Sequence, residues 1–150
     1  MDPAEVRKRV LDDHAALRAS LDEVESVARR VLEGSRALRQ ELGRAGERLL
    51  ESLESHIEWR DDHLPPVLRG AASWGGEREA QMRRDHREQR QVLRYLLEKL
   101  RDRQRPNHLL ARNLLDFSAM LRDDMTEEEQ ALLESDAPQD DVLGAGLEAS

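Results

Sequence analysis

The stretch His56-Ile57-Glu58-Trp59-Arg60-Asp61-Asp62-His63-Leu64-Pro65-Pro66 closes a long helical pattern and decides how the chain is read. Upstream of it, apolar residues recur at Leu38, Leu42, Ala45, Leu49 and Leu53. Steps of three and four put them on one face of an α-helix. The next members of that seam are His56, Arg60 and Leu64. An imidazole and a guanidinium thus stand where apolar side chains should continue. Pro65-Pro66 stops the pattern, which predicts a helix over about 36–63.

Three more segments have the same build. Asp2-Pro3 caps a helix predicted over 4–32, with the seam Val6, Val10, His14, Leu17, Leu21, Val24, Ala28, Val31 and a stop at Gly34. A segment over 77–103 follows a loop at 70–76, with Gly75-Gly76 as the break. Its seam is Met82, His86, Gln89, Leu93, Leu97, Leu100, widened by Leu96. After the turn at Arg105-Pro106-Asn107, a segment over 107–134 carries Leu110, Leu114, Phe117, Leu121, Asp124, Glu128 and Ala131. Residues 136–150 read as an acidic, mobile tail.

Composition narrows the class. The 150 residues fit one domain, 1–135, with a real core. Hydrophobic residues make up 38% and charged residues 37%, with 8 Gly and 5 Pro, the balance of a helical bundle rather than a sheet protein. A formal charge of −8 argues against nucleic acid or an anionic membrane as partner. The absence of Cys excludes disulfides, thiolate catalysis and iron–sulfur ligation. No apolar run is long enough to span a bilayer, and Met1-Asp2-Pro3 does not begin a signal peptide, so the expected location is cytoplasmic. Short connections point to an all-α, up-down-up-down antiparallel four-helix bundle.

In that bundle the polar seam positions meet. His14 and His86 lie about ten residues into their helices, and His56 and Asp124 about as far from the ends of theirs. With a rise of 1.5 Å per residue, all four fall roughly 15 Å from one end of the bundle. Arg60 and Glu128 follow one turn later on the same faces. Two readings remain open. The layer holds a metal through His14, His56, His86, Asp124 and Glu128, with Glu129 or Asp61 as extra ligands. Alternatively, Arg60 pairs with Glu128 or Asp124 and the bundle is a metal-free interaction or regulatory module. His63 and His108, near helix ends, are expected to face solvent, and Trp59 and Tyr95 to serve packing. No nucleophile–base pair shares the layer, so enzymatic hydrolysis is not expected.

Asp12-Asp13-His14, the run His56 to Pro66, Arg84-Asp85-His86 and Asp124-Met125-Thr126-Glu127-Glu128-Glu129 together resemble the hemerythrin-like family, the HHE cation-binding domain. The likeness covers about residues 4–135. It implies a four-helix bundle with non-haem iron, one or two ions. It also implies binding or sensing of a small diatomic ligand, peroxide or iron; a protein partner belongs to the metal-free alternative and to the acidic tail. The family pattern has His-x-x-x-Glu in the second helix and again in the fourth. Here Arg60 replaces the first Glu, Asp124 replaces the second His, and Met82 stands where some members add a His. The ligand set is therefore reduced, and a mononuclear site is the expectation.

Overall fold

A computed structural model describes residues 2–35, 38–69 and 75–136, with residues 135 and 136 described by backbone alone. The described residues form four helices: α1 (Pro3–Leu32), α2 (Arg39–Leu68), α3 (Gly76–Arg101) and α4 (Asn107–Asp136). Each packs on its neighbours around an antiparallel ring, α1 on α2 and α4, and α3 on α2 and α4. This is the up-down-up-down bundle that the seams predict. Asp136 ends α4, and the rest of the expected tail lies outside the described residues. Among the described residues, no helix is long and apolar enough to cross a membrane.

The helix ends follow local chemistry. Asp2 and Glu5 form a reciprocal capping box around Pro3, which satisfies amides the first turn leaves bare. Gly34 takes φ 103°, a left-handed conformation that suits glycine, and releases the chain from α1. Arg39 binds the carbonyls of Lys99, Leu100, Asp102 and Arg105 and the side chain of Asn107. One guanidinium thus satisfies the carbonyls at the end of α3 and pins the turn into α4. Gly46 packs against α3, where an added Cβ would meet Leu97 Cδ2 at 2.7 Å.

The expected stop at Pro65-Pro66 is corrected: α2 continues through both prolines to Leu68. Pro65 has no N–H to give the Asp61 carbonyl four residues back. Arg83 of α3 donates to that carbonyl instead, at 2.9 Å. The extra turn brings Leu64, Pro65 and Leu68 into the interior. α2 also begins at Arg39, after Leu38, and α3 ends at Arg101 rather than 103. Gly76 opens α3, so only Gly75 of the described residues stays in the break.

The core is in two parts. The larger runs from Leu17 to Val31 on α1, Leu38 to Ile57 around α2, Leu93 to Leu100 on α3 and Leu110 to Met125 on α4. The smaller comprises Val6, Val10, Leu64, Leu68, Met82, Ala131 and Leu132. Each fully buried Leu or Val contributes about 1.5–3 kcal/mol of transfer free energy. Between the two parts lie His14, His56, Arg60 and His86, all buried. Met125, not Asp124, takes the deepest place on α4 at this level, and Asp124 sits half-buried at the edge. Tyr95 is exposed beneath Lys99 rather than packed. His63 is half-buried, stacked on Trp59 with its centroid 4.7 Å away, rather than facing solvent, and His108 is exposed as expected.

Candidate metal centre

The polar layer is built around the Glu128 carboxylate, whose side chain is 7% exposed. Its two oxygens face different partners. Oε1 lies 3.0 Å from His14 Nε2 and 3.6 Å from His56 Nε2. Oε2 accepts from Arg60 Nη1. The other arm of Arg60, Nη2, donates to His86 Nε2. The His14 and His56 rings meet edge to face, with centroids 5.0 Å apart.

Each imidazole is held from behind by a carboxylate. His56 Nδ1 lies 3.0 Å from Asp13 Oδ2, His14 Nδ1 3.1 Å from Glu129 Oε1, and His86 Nδ1 3.0 Å from Asp61 Oδ1. An ionised carboxylate only accepts, so each Nδ1 carries the proton and donates it. Each Nε2 then points into the layer. Glu129 is itself fixed by a two-pronged contact from Arg18, at 2.6 and 2.8 Å. Asp13 also accepts from Arg9.

Charge follows this geometry. Burial would push the Glu128 carboxyl up; the Arg60 guanidinium, with His14 and His56 behind it, outweighs that and holds it well below the carboxylate range. Burial lowers His86, Asp61 partly restores it, and the Arg60 charge lowers it again, so its ring is neutral with a lone pair for Arg60. Burial would raise Asp61, but the His86 hydrogen bond and nearby positive charge bring it down. The Arg18 contact lowers Glu129, against burial. Asp124 goes the other way, raised by burial and by Glu127 and Asp85.

Of the five expected ligands, the structure brings three together. Ligand atoms of His14, His56 and Glu128 all lie within 4.8 Å of one another. His86 is in the layer but its inward nitrogen is taken by Arg60. Asp124 accepts from Gln89 and stands apart, on the wall of a cavity of about 150 Å³ between α3 and α4. Glu129 and Asp61 support imidazoles from behind. In the sequence Asp13 adjoins His14, but its carboxylate serves His56, across on α2. The missed signal is adjacency: Asp13, Asp61 and Glu129 each sit one residue from a seam position, His14, Arg60 and Glu128.

The donor set fits a metal ion on one half of the layer. His56 Nε2 is buried and has no hydrogen-bond partner. A lone pair there, beside the Glu128 oxygen and the inward nitrogen of His14, calls for a cation: a metal ion or a proton. Two imidazoles and one carboxylate are a common set for Fe(II). The family model for the hemerythrin HHE cation binding domain matches residues 6–134. No curated protein and no solved structure gives a match.

Proposed function

The chain belongs to the hemerythrin HHE cation-binding domain family, and on that premise we propose that it binds one non-haem metal ion, iron foremost, through His14, His56 and Glu128. The observation that carries this is the buried, unpartnered Nε2 of His56, aimed at the Glu128 carboxylate with its ring fixed by Asp13. An orphaned buried acceptor is costly unless something fills it. A bound ion would supply a Lewis-acidic centre with open positions for a small diatomic ligand.

The chain's own residues prepare that place. Asp13 and Glu129 set the tautomers and aim the rings. Arg60 holds Glu128 ionised and turned so that Oε1 stays free for the His14–His56 side. The small apolar cluster of Val6, Val10, Leu64, Leu68 and Leu132 packs the end of the bundle beyond the layer. We read the domain as a binding or sensing module rather than an enzyme, since Arg60 fills the middle of the layer where a substrate would have to sit.

A second reading has its own observation. Arg60 and Glu128 already form a buried, mutually neutral pair, which suits a metal-free bundle. Elemental analysis of protein expressed with added iron separates the two. Close to one equivalent of iron supports the metal reading. Less than about a tenth of an equivalent of any transition metal rejects it.

A further inference from the structure

The far end of the bundle, about 30 Å along α4 from the polar layer at 1.5 Å per residue, is built differently. Where α1 ends, α2 begins and α3 turns into α4, a surface hollow of about 620 Å³ opens. Its walls bring together Arg39, Arg103, Arg105 and His108, with Val31 and Leu32 as an apolar side. Among the described residues no Asp or Glu lines it. The chain as a whole carries a formal charge of −8, so a wall of cations without acid runs against its composition.

These cations have no carboxylate partners either. Arg9, Arg18, Arg48, Arg94 and Arg122 each hold one. Arg39 gives all five N–H groups to four carbonyls and the Asn107 side chain, so its charge stays uncompensated. Arg103 and Arg105 form no ion pair with a described residue, and Arg105 Nε is buried with no hydrogen-bond partner. A buried N–H in that state is costly until an acceptor reaches it. The turn that carries both residues is tied down in advance. Arg39 Nη1 donates to the Arg105 carbonyl at 2.8 Å and to Asn107 Oδ1 at 2.7 Å, and Asp102 Oδ1 accepts from the Gln104 amide at 3.0 Å. That lowers the ordering cost of binding there. The positive end of the α4 dipole adds to the same field. A neighbouring hollow between α2 and α3 shares Arg39 and Arg103, but Glu47 lies in its wall and pairs with Arg101. Only the first hollow combines free guanidinia with no acid.

We propose that this hollow is an anion-binding site, separate from the polar layer, and that its ligand is a small organic phosphate. Arg103 and Arg105 grip the phosphate oxygens, Arg39 adds its charge without leaving the turn, and Val31 and Leu32 receive the organic part. The planar fork of a guanidinium matches phosphate oxygens two at a time. A phosphate monoester carries nearly two negative charges and three acceptor oxygens at neutral pH, and so suits three uncompensated guanidinia better than a single carboxylate does. The volume falls within the ~300–1,000 Å³ of small-molecule pockets, which leaves room for more than inorganic phosphate.

The test is calorimetric titration of the metal-free full chain with phenyl phosphate at a fixed ionic strength of about 0.15 M. Leaving the metal out keeps the result independent of the reading of the polar layer. The wild type is expected to bind about one equivalent, saturably. Arg103→Gln and Arg105→Gln are each expected to weaken binding about tenfold, through loss of a charge-assisted hydrogen bond. Arg103 is exposed, so its replacement leaves the fold intact and carries the test if Arg105→Gln misfolds. Arg94→Gln, which removes a surface guanidinium paired with Glu54, is expected to change nothing. Inorganic phosphate is expected to bind severalfold more weakly, having no apolar part to set against Val31 and Leu32. No saturable binding at millimolar phenyl phosphate would overturn the site. So would full affinity in the folded turn variants, or an equal loss in Arg94→Gln, which would mean a diffuse attraction to surface cations. Equal affinity for inorganic phosphate would overturn the organic ligand.

Discussion

The two apolar parts of the core and the polar layer between them are cut from the same helical period, yet they are held by different forces. In the larger apolar part, Leu49, Leu53, Leu114 and their neighbours are fully buried and interchangeable in kind. Their contribution scales with area removed from water. In the layer, the buried side chains are held by named partners in set directions, and the Nε2 of His56 is left over. His14, His56, Arg60 and His86 are as buried as the leucines. None of them is stabilised by burial itself, which disfavours their charged forms. The period of the helix decides which residues go inside; partner geometry decides whether a polar residue there is tolerable.

The strongest way to break this comparison is to remove Arg60. In metal-free protein, Arg60→Met leaves the Glu128 carboxylate buried without its guanidinium and is expected to cost about 3–5 kcal/mol, measured by urea unfolding. Leu53→Ala in the apolar part is expected to cost a similar amount, about 2–5 kcal/mol, but for lost transfer energy and a cavity. Double substitution separates the causes. Arg60→Met combined with Glu128→Leu removes donor and acceptor together and should recover most of the single-site loss, whereas no second change near Leu53 that removes further volume would do so. A double variant as unstable as Arg60→Met alone would mean that Glu128 is not the group being stranded.

The next effect is the ion itself. A ligand that binds only the folded state stabilises it by about 2.7 kcal/mol at one hundred times its Kd. Thermal unfolding with and without Co(II) should show such a gain in the wild type and none in His56→Ala. Leu53→Ala should lower both curves and keep the gap between them. If His56→Ala kept the gap, the ion would be bound elsewhere in the molecule.

The fold was legible because apolar spacing is redundant. Each seam repeats its signal over many turns, and every apolar seam residue from Val6 to Leu121 named on α1 to α4 is buried. Single positions carried less. Two consecutive prolines signal a stop on α2 when only the local chain is considered; the carbonyl they leave bare is met by Arg83, on another helix. Asp124 read as a ligand because the seam was extended at its own spacing, but at this level the helix turns Met125 inward and leaves Asp124 with Gln89. The inward direction of Arg60 could not be read from spacing at all. A long side chain at a seam position can point in or extend out to solvent, and only the placement of Glu128 and His86 on α4 and α3 decides it.

The outer carboxylates offer the finest cut. Asp13 and Asp61 look alike: each is about one-fifth exposed and each accepts from the Nδ1 of a buried imidazole at 3.0 Å. They differ in what the far side of the ring faces. His56, held by Asp13, presents an unpartnered Nε2; His86, held by Asp61, presents its Nε2 to Arg60. Support of a ligand ring from behind is typically worth ten- to a hundredfold in metal affinity, or about 1.4–2.7 kcal/mol. Asp13→Asn should therefore weaken Co(II) binding by about that factor in a titration followed by visible absorption, while Asp61→Asn should leave the affinity where it was. If the two substitutions weakened binding equally, His86 would be a ligand of the ion as well, and the site of His14, His56 and Glu128 would have to be redrawn.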